Sequence, residues 1–284
     1  MNKIESLGVL GAGQMGAGIA QLAAEAGLTV KLADMDLASA EKGKANIARS
    51  LGKQVERGRK EADAVAKTLD RIEPVATIAD LSSVDMAIEA ASENLELKLA
   101  LFKQLDDICK PDAILASNTS SISITLMAAS TSRPEQFIGM HFFNPVPAMK
   151  LVEVIRGLAS SDATYEATKT LAELMGKEVV SCEDKAGFVV NRLLLPFLNE
   201  ACFTLEEGVS SVEDIDKAVN LGLNHPMGPF ALADFIGLDT CLSIMEVLHK
   251  ELGEDKYRPS PLLRKYVAAG WLGKKSGRGF YAYN

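Results

Sequence analysis

Two side chains in the middle of the chain, His141 and Glu153, are of types suited to proton chemistry. Imidazole has an unperturbed pKa of about 6.5, so near neutral pH it can take a hydroxyl proton and return it. A carboxylate on its other nitrogen fixes the tautomer and stabilises the imidazolium that forms. An alcohol needs such a base when hydride leaves its carbon for a cofactor. His141 closes an apolar run in His141-Phe142-Phe143-Asn144-Pro145, and Glu153 lies inside the apolar run 151–155. The two can pair if the turn over residues 144–148, with Pro145 and Pro147, folds one segment back on the other. Plainer readings stay open: a histidine at a strand end can be structural, and Glu153 can point to solvent from an edge strand. The polar cluster Ser117-Asn118-Thr119-Ser120-Ser121 either joins the same site or caps a helix over residues 122–129. His225, in a Pro-bounded turn, and His249, between charged residues on a helix, are weaker candidates.

A second chemical signature opens the chain. The apolar run 4–10 leads into Gly11-Ala12-Gly13-Gln14-Met15-Gly16, and a small-residue helical stretch follows to residue 26. A second strand-like run, 28–32, ends at Asp34, eighteen positions after Gly16. This is the strand–turn–helix–strand order of a dinucleotide-binding unit. Gly11 permits the tight turn, Gly13 lets backbone N–H groups approach a pyrophosphate, and Gly16 lets the helix pack close to the strand. The phosphates would sit at the positive end of the helix dipole. A carboxylate at Asp34 can accept from ribose hydroxyls and repels a 2′-phosphate, which favours NAD over NADP.

Residues 41–60 carry the third signal: seven basic side chains, Lys53 and Arg57 among them, against Glu41 and Glu56. That local positive excess stands in a chain of net charge −8. A solvated helix face explains it, and so does a site for a polyanionic ligand such as a nucleotide-tailed substrate.

The elements that must position these residues alternate. Helical patterns over 37–59, 62–69 and 94–109 interleave with strand-like runs at 72–77, 85–90, 113–117 and 137–142. Runs at 150–155 and 178–181, with a helix over 165–175, continue the pattern. The expected fold is α/β, a Rossmann-type, doubly wound and mainly parallel sheet over residues 1–186. From 187 to 284 the periodicity is helical throughout, over 188–207, 212–221, 230–251 and 261–269, with a short extended tail at 279–283. The net negative charge argues against general nucleic-acid binding. The four scattered cysteines and three histidines suggest no metal site and a reducing compartment. With no signal-like or membrane-spanning run, a cytoplasmic protein is expected.

The sequence resembles the 3-hydroxyacyl-CoA dehydrogenases, most closely their short bacterial 3-hydroxybutyryl-CoA branch. The matching stretches are GAGQMGAGIAQ at 11–21, AIEAASEN at 87–94, ASNTSSISI at 116–124 and IGMHFFNPVPAMKLVEVI at 138–155. DKAGFVVNRLL at 184–194, NHPMGPFALADFIGLD at 224–239 and GWLGKKSGRGFY at 270–281 complete the match across the chain. The resemblance implies an NAD-dependent oxidoreductase interconverting (3S)-3-hydroxyacyl-CoA and 3-oxoacyl-CoA, with short acyl chains preferred. It makes His141 the base and Glu153 its partner, and places Ser120 and Asn191 in the active site. It also implies cofactor contacts from Glu93, Lys98, Ser120, Asn144 and Lys275. Ser50, Lys53 and Arg57 would face the coenzyme A tail, and the helical domain would form a homodimer or higher homo-oligomer. Two alternatives stay open: a dehydrogenase of a free hydroxy acid or sugar acid, and a non-catalytic dinucleotide-binding protein.

Overall fold

Hydrophobic segments of four to six residues alternate with amphipathic helices, and the chain folds as that alternation requires. The structure, a computed structural model, describes residues 3–283. Two compact units part between Lys185 and Ala186.

In the first unit, β1 (Ser6–Leu10), α1 (Gln14–Glu25) and β2 (Thr29–Ala33) form the opening strand–helix–strand segment. Next come α2 (Leu37–Glu56), α3 (Ala62–Asp70), β3 (Ile72–Val75), β4 (Met86–Glu89), α4 (Leu95–Ile108) and β5 (Ile114–Ser117). The unit closes with α5 (Ile124–Ala128), β6 (Phe137–Phe142), β7 (Leu151–Arg156), α6 (Asp162–Leu174) and β8 (Glu178–Glu183). The strands form one sheet in the order β3-β2-β1-β4-β5-β6-β7-β8. The order reverses between β1 and β4, and in open α/β sheets ligands bind at that switch point, beyond the carboxyl ends of the strands. Neighbours from β3 to β6 run parallel, whereas β7 lies antiparallel to β6 and β8 continues in β7's direction. β4, β5 and β6 are buried at every residue, as strands covered on both faces must be.

Side-chain caps explain most helix starts: Asp36 accepts from Ser39 N–H, Asn94 from Leu97 N–H and Ser161 from Thr164 N–H. Ser161 starts α6 at Asp162, three residues before its apolar periodicity begins, because the first turn is polar. The expectation that the 117–121 cluster caps a helix is corrected too. α5 begins at Ile124, and its cap is Ser123, which accepts from Leu126 N–H.

The second unit is helical: α7 (Val190–Glu206), α8 (Val212–Gly222), α9 (Pro229–Ile236), α10 (Leu238–Leu252) and α11 (Pro261–Ala268). The single helix expected over 230–251 is two helices. Gly237, at φ +105°, ends α9 and begins α10, a backbone conformation that side-chain-bearing residues avoid. The extended tail expected at 279–283 is a folded strap. Arg278 bridges Gly273 and Ala282, and buried Asp234 accepts from Phe280 N–H, Tyr281 N–H and the Tyr283 hydroxyl.

Candidate active site and cofactor site

His141 is the fifth residue of β6, and the antiparallel register sets it directly opposite Glu153 on β7. Its Nδ1 lies 2.7 Å from Glu153 Oε2. Glu153 has no exposure and His141 has 7%. A buried carboxylate accepts, so Nδ1–H donates, and in the neutral ring the lone pair is on Nε2. β7 is an interior strand between β6 and β8, and Glu153 does not point to solvent. The Phe143 ring packs on the imidazole at 4.5 Å between centroids.

Two residues hold this pair in place: Asn118, a member of the polar cluster seen in the sequence, and Lys177, which the sequence did not single out. Asn118, just past β5, accepts from Phe142 N–H through Oδ1 at 2.9 Å. Lys177, buried, donates to the carbonyls of Val146 and Met149 at 2.5 and 2.6 Å and so braces the turn between β6 and β7. Burial lowers the Lys177 pKa. Lys177 left only a faint chemical signal, since a lysine after a helix occurs everywhere.

The glycine turn has the form a dinucleotide needs. A Cβ on Gly16 would lie 1.7 Å from the Gly11 carbonyl oxygen, so α1 approaches the turn at backbone distance. A Cβ on Gly13 would meet nothing within 4 Å, leaving its side of the turn open. Gly11 and Ala12 follow β1, and Gln14 and Met15 form the first turn of α1, whose Gly13 cap offers no side chain to the helix N–H groups. Asp34 Oδ2 accepts from Ala12 N–H at 2.5 Å and Oδ1 from Met35 N–H at 2.7 Å, which sets the carboxylate at the rim of the turn. Beside it lies a cavity of about 560 Å³ lined by Leu10, Gly11, Gly13, Asp34, Ala91 and Leu97. An open glycine, uncapped helix N–H groups and a rim carboxylate together fit the pyrophosphate and ribose of NAD.

The serine–threonine cluster converges on Glu93. Its Oε1 accepts from Thr119 Oγ1 at 2.5 Å, Ser120 N–H at 2.9 Å, Ser121 Oγ at 3.1 Å and Ser120 Oγ at 3.3 Å. Burial pushes the Glu93 pKa up, but the Lys98 ammonium, the Thr119 hydroxyl and Ser120 N–H outweigh it and hold the group below the usual carboxylate range. Lys98 is 1% exposed and donates to Glu89 Oε1 at 2.6 Å, with Glu93 Oε2 at 3.3 Å.

The remaining sequence candidates are more scattered. Asn144 is exposed in the β6–β7 turn. Ser50, Lys53 and Arg57 share one exposed side at the end of α2, at spacings of three and four. In the second unit, Asn191 is buried in the first turn of α7, and Lys275 donates to Asp239 Oδ2 at 2.7 Å. Burial pushes the Cys109 thiol up to about 11 and those of Cys202 and Cys241 up to about 12, so none is a ready nucleophile. Among the described residues no helix is long and apolar enough to cross a membrane.

Comparison with known proteins agrees with this geometry. The family model for the NAD binding domain of 3-hydroxyacyl-CoA dehydrogenase matches residues 6–185, and that for the C-terminal domain matches residues 187–283. A probable 3-hydroxybutyryl-CoA dehydrogenase of Bacillus subtilis is 56% identical over 281 residues, covering 99% of this chain and 98% of its own length. The 3-hydroxybutyryl-CoA dehydrogenase of Bradyrhizobium diazoefficiens is 55% identical over 280 residues, covering 99% and 96%. The crystal structure of (S)-3-hydroxybutyryl-CoA dehydrogenase from Ralstonia eutropha superposes with a TM-score of 0.97 at 50% identity, covering 99% of this chain and 100% of that one. With family models spanning both units and relatives alike along nearly their whole length, the chain belongs to the 3-hydroxyacyl-CoA dehydrogenase family.

Proposed function

We propose that the protein is an NAD-dependent oxidoreductase that interconverts (3S)-3-hydroxybutyryl-CoA and acetoacetyl-CoA. The observation that carries the reading is the buried His141–Glu153 pair near the carboxyl end of β6, on the same edge of the sheet as the glycine turn. NAD held at the glycine turn would supply the acceptor for the hydride that leaves the carbon bearing the hydroxyl. His141 takes the hydroxyl proton on Nε2, while Glu153 keeps Nδ1–H and stabilises the imidazolium. In the other direction His141 returns that proton to the 3-oxo oxygen. Ser120, fixed by Glu93, and Asn191 position the substrate oxygens.

The turn Gly11, Ala12, Gly13, Gln14, Met15 and Gly16 would hold the pyrophosphate on the N–H groups at the start of α1, those of Gly11 and Ala12 being given to the Ala33 carbonyl and Asp34, and Asp34 would hold the ribose hydroxyls. Glu93, Lys98, Asn144 and Lys275 complete the cofactor contacts. Ser50, Lys53 and Arg57 take the phosphates of the coenzyme A tail, a use of the positive excess along α2. The helical unit, residues 187–284 in this reading, binds substrate and carries the interface of a homodimer, and the protein works in the cytoplasm.

Initial rates of acetoacetyl-CoA reduction with NADH and NADPH, side by side, test the reading. Fast turnover with NADH supports both the reaction and the role of Asp34. Turnover with NADPH alone would remove the argument from Asp34, and no turnover with either would overturn the proposed activity.

A further inference from the structure

The proposed mechanism leaves one buried carboxylate unused. Glu89 ends β4 with no exposure at all. On one side it pairs in register with Leu10, the last residue before the glycine turn, and on the other with Ser117 at the end of β5. It therefore lies directly under the switch point of the sheet. Its Oε1 accepts from Lys98 Nζ at 2.6 Å and from Ala91 N–H at 2.7 Å, and its Oε2 accepts from Ser117 Oγ at 2.7 Å. Ser117 Oγ in turn accepts from Thr119 N–H, so its own proton is directed to Glu89. Three donors converge on one carboxyl group, the pattern of an ionised carboxylate.

Lys98 is the ammonium shared by Glu89 and Glu93. Two carboxylates against one ammonium leave the cluster with one negative charge in excess; Glu89 and Lys98 are buried, where a charge is screened far less than in water, and Glu93 reaches the surface. Oxidised and reduced nicotinamide differ by one positive charge on the ring. We propose that Glu89 is a specificity-determining residue that acts through this excess charge: it biases the switch-point crevice toward the oxidised cofactor. Glu89 acts from beneath, through the field and through Lys98, and Glu93 carries the arrangement up to Ser120. The inference rests on the NAD reading given above.

The test is the ratio of two dissociation constants, that of NADH over that of NAD⁺, measured by titration at one ionic strength for wild type and Glu89→Gln. The amide keeps the shape and the acceptor toward Lys98 while removing the charge. The ratio should fall roughly tenfold, the order expected when one unit charge is removed at an effective dielectric near 20. A merely structural role would weaken both cofactors alike, and a ratio within about twofold of wild type overturns the proposal. If circular dichroism shows Glu89→Gln unfolded, Glu93→Gln removes the same unit of charge from the cluster's exposed end. Its ratio must then fall in the same direction, and an unmoved ratio there is equally fatal. Wild-type protein that binds neither cofactor would overturn the NAD reading and this proposal with it. Tight binding of both with an unmoved variant ratio overturns this proposal alone.

Discussion

Replacing Glu153 by Gln should lower kcat by about two orders of magnitude and change little else. The substitution keeps the side-chain volume and an oxygen toward Nδ1 at 2.7 Å, and removes only the charge. Because Glu153 has no exposure, solvent cannot supply a replacement counter-charge. With charge centres roughly 4 Å apart and an effective dielectric near 20, the imidazolium–carboxylate attraction is about 4 kcal/mol. The amide dipole and its hydrogen bond return about 1 kcal/mol of that. About 3 kcal/mol is then missing from the transition state, or roughly two decades of rate. The assay is steady-state oxidation of 3-hydroxybutyryl-CoA with NAD⁺, the direction in which the imidazolium forms, with the NAD⁺ dissociation constant and Tm measured in parallel. A kcat within threefold of wild type, in a folded variant, would refute the role given to Glu153. With Glu153 acting on the reaction through His141, the double variant with His141→Gln should be no slower than His141→Gln alone, which should lose on the order of 10³. Additive losses would give Glu153 a separate task.

Other expectations follow from the same geometry. Gly13→Ala should fold with an unchanged Tm, since its Cβ meets nothing, yet bind NADH at least tenfold more weakly because the methyl takes the pyrophosphate's place. Gly16→Ala, whose Cβ would strike the Gly11 carbonyl, should lower the Tm sharply in the same thermal melt. Lys53→Glu with Arg57→Glu should raise KM for the coenzyme A thioester about tenfold at low salt and leave kcat intact; an unchanged KM returns that helix face to plain solvation. Asp85 ties β4 to β1 at the opposite edge of the sheet. Burial raises its pKa, but Lys110, the Ser6 hydroxyl and the N–H groups of Glu5 and Ser6 prevail and hold it at about 2 against an ordinary 3.8. A folded-state pKa below the unfolded one means the contribution, about 2 kcal/mol after allowance for partial exposure, is present above pH 4 and lost as pH falls toward 2. The Tm gap between wild type and Asp85→Asn should therefore close over that range, and a gap that persists at pH 2 would contradict the assignment.

The sheet was legible in the sequence because each of its strands announces itself locally. The runs ending in Leu10, Glu89 and Ser117 are short, apolar and separated by helices, and no other arrangement buries both faces of such strands. The glycine turn was legible for the same reason: its six residues, the strand before and the helix after constrain each other within one stretch of chain. Gly237 was not, because the apolar periodicity of α9 runs on into α10 with no polar interruption. Only the positive φ, a property of three dimensions, separates them.

The site divides along the same line. That His141 and Glu153 could meet was conditional on the turn at 144–148, and on a register that no spacing determines. A slip of one residue would turn Glu153 to the other face of the sheet and leave the imidazole without its carboxylate. The structure meets the condition with two devices: the Lys177 ammonium on the turn's carbonyls, which carries no motif, and the Asn118 amide on Phe142, whose place in the 117–121 cluster did not say what it would hold. Glu89 and Lys98 were still harder to pair. They stand nine residues apart across a strand end and a helix start, and whether such residues touch depends on how α4 leaves β4. The clue available was energetic. A glutamate inside a fully buried strand must have an ionised partner or lose its charge, so Glu89 in Met86–Glu89 was a reason to look for a buried cation. The Lys98 ammonium supplies one charge to two carboxylates, and the surplus is what the cofactor titration should register.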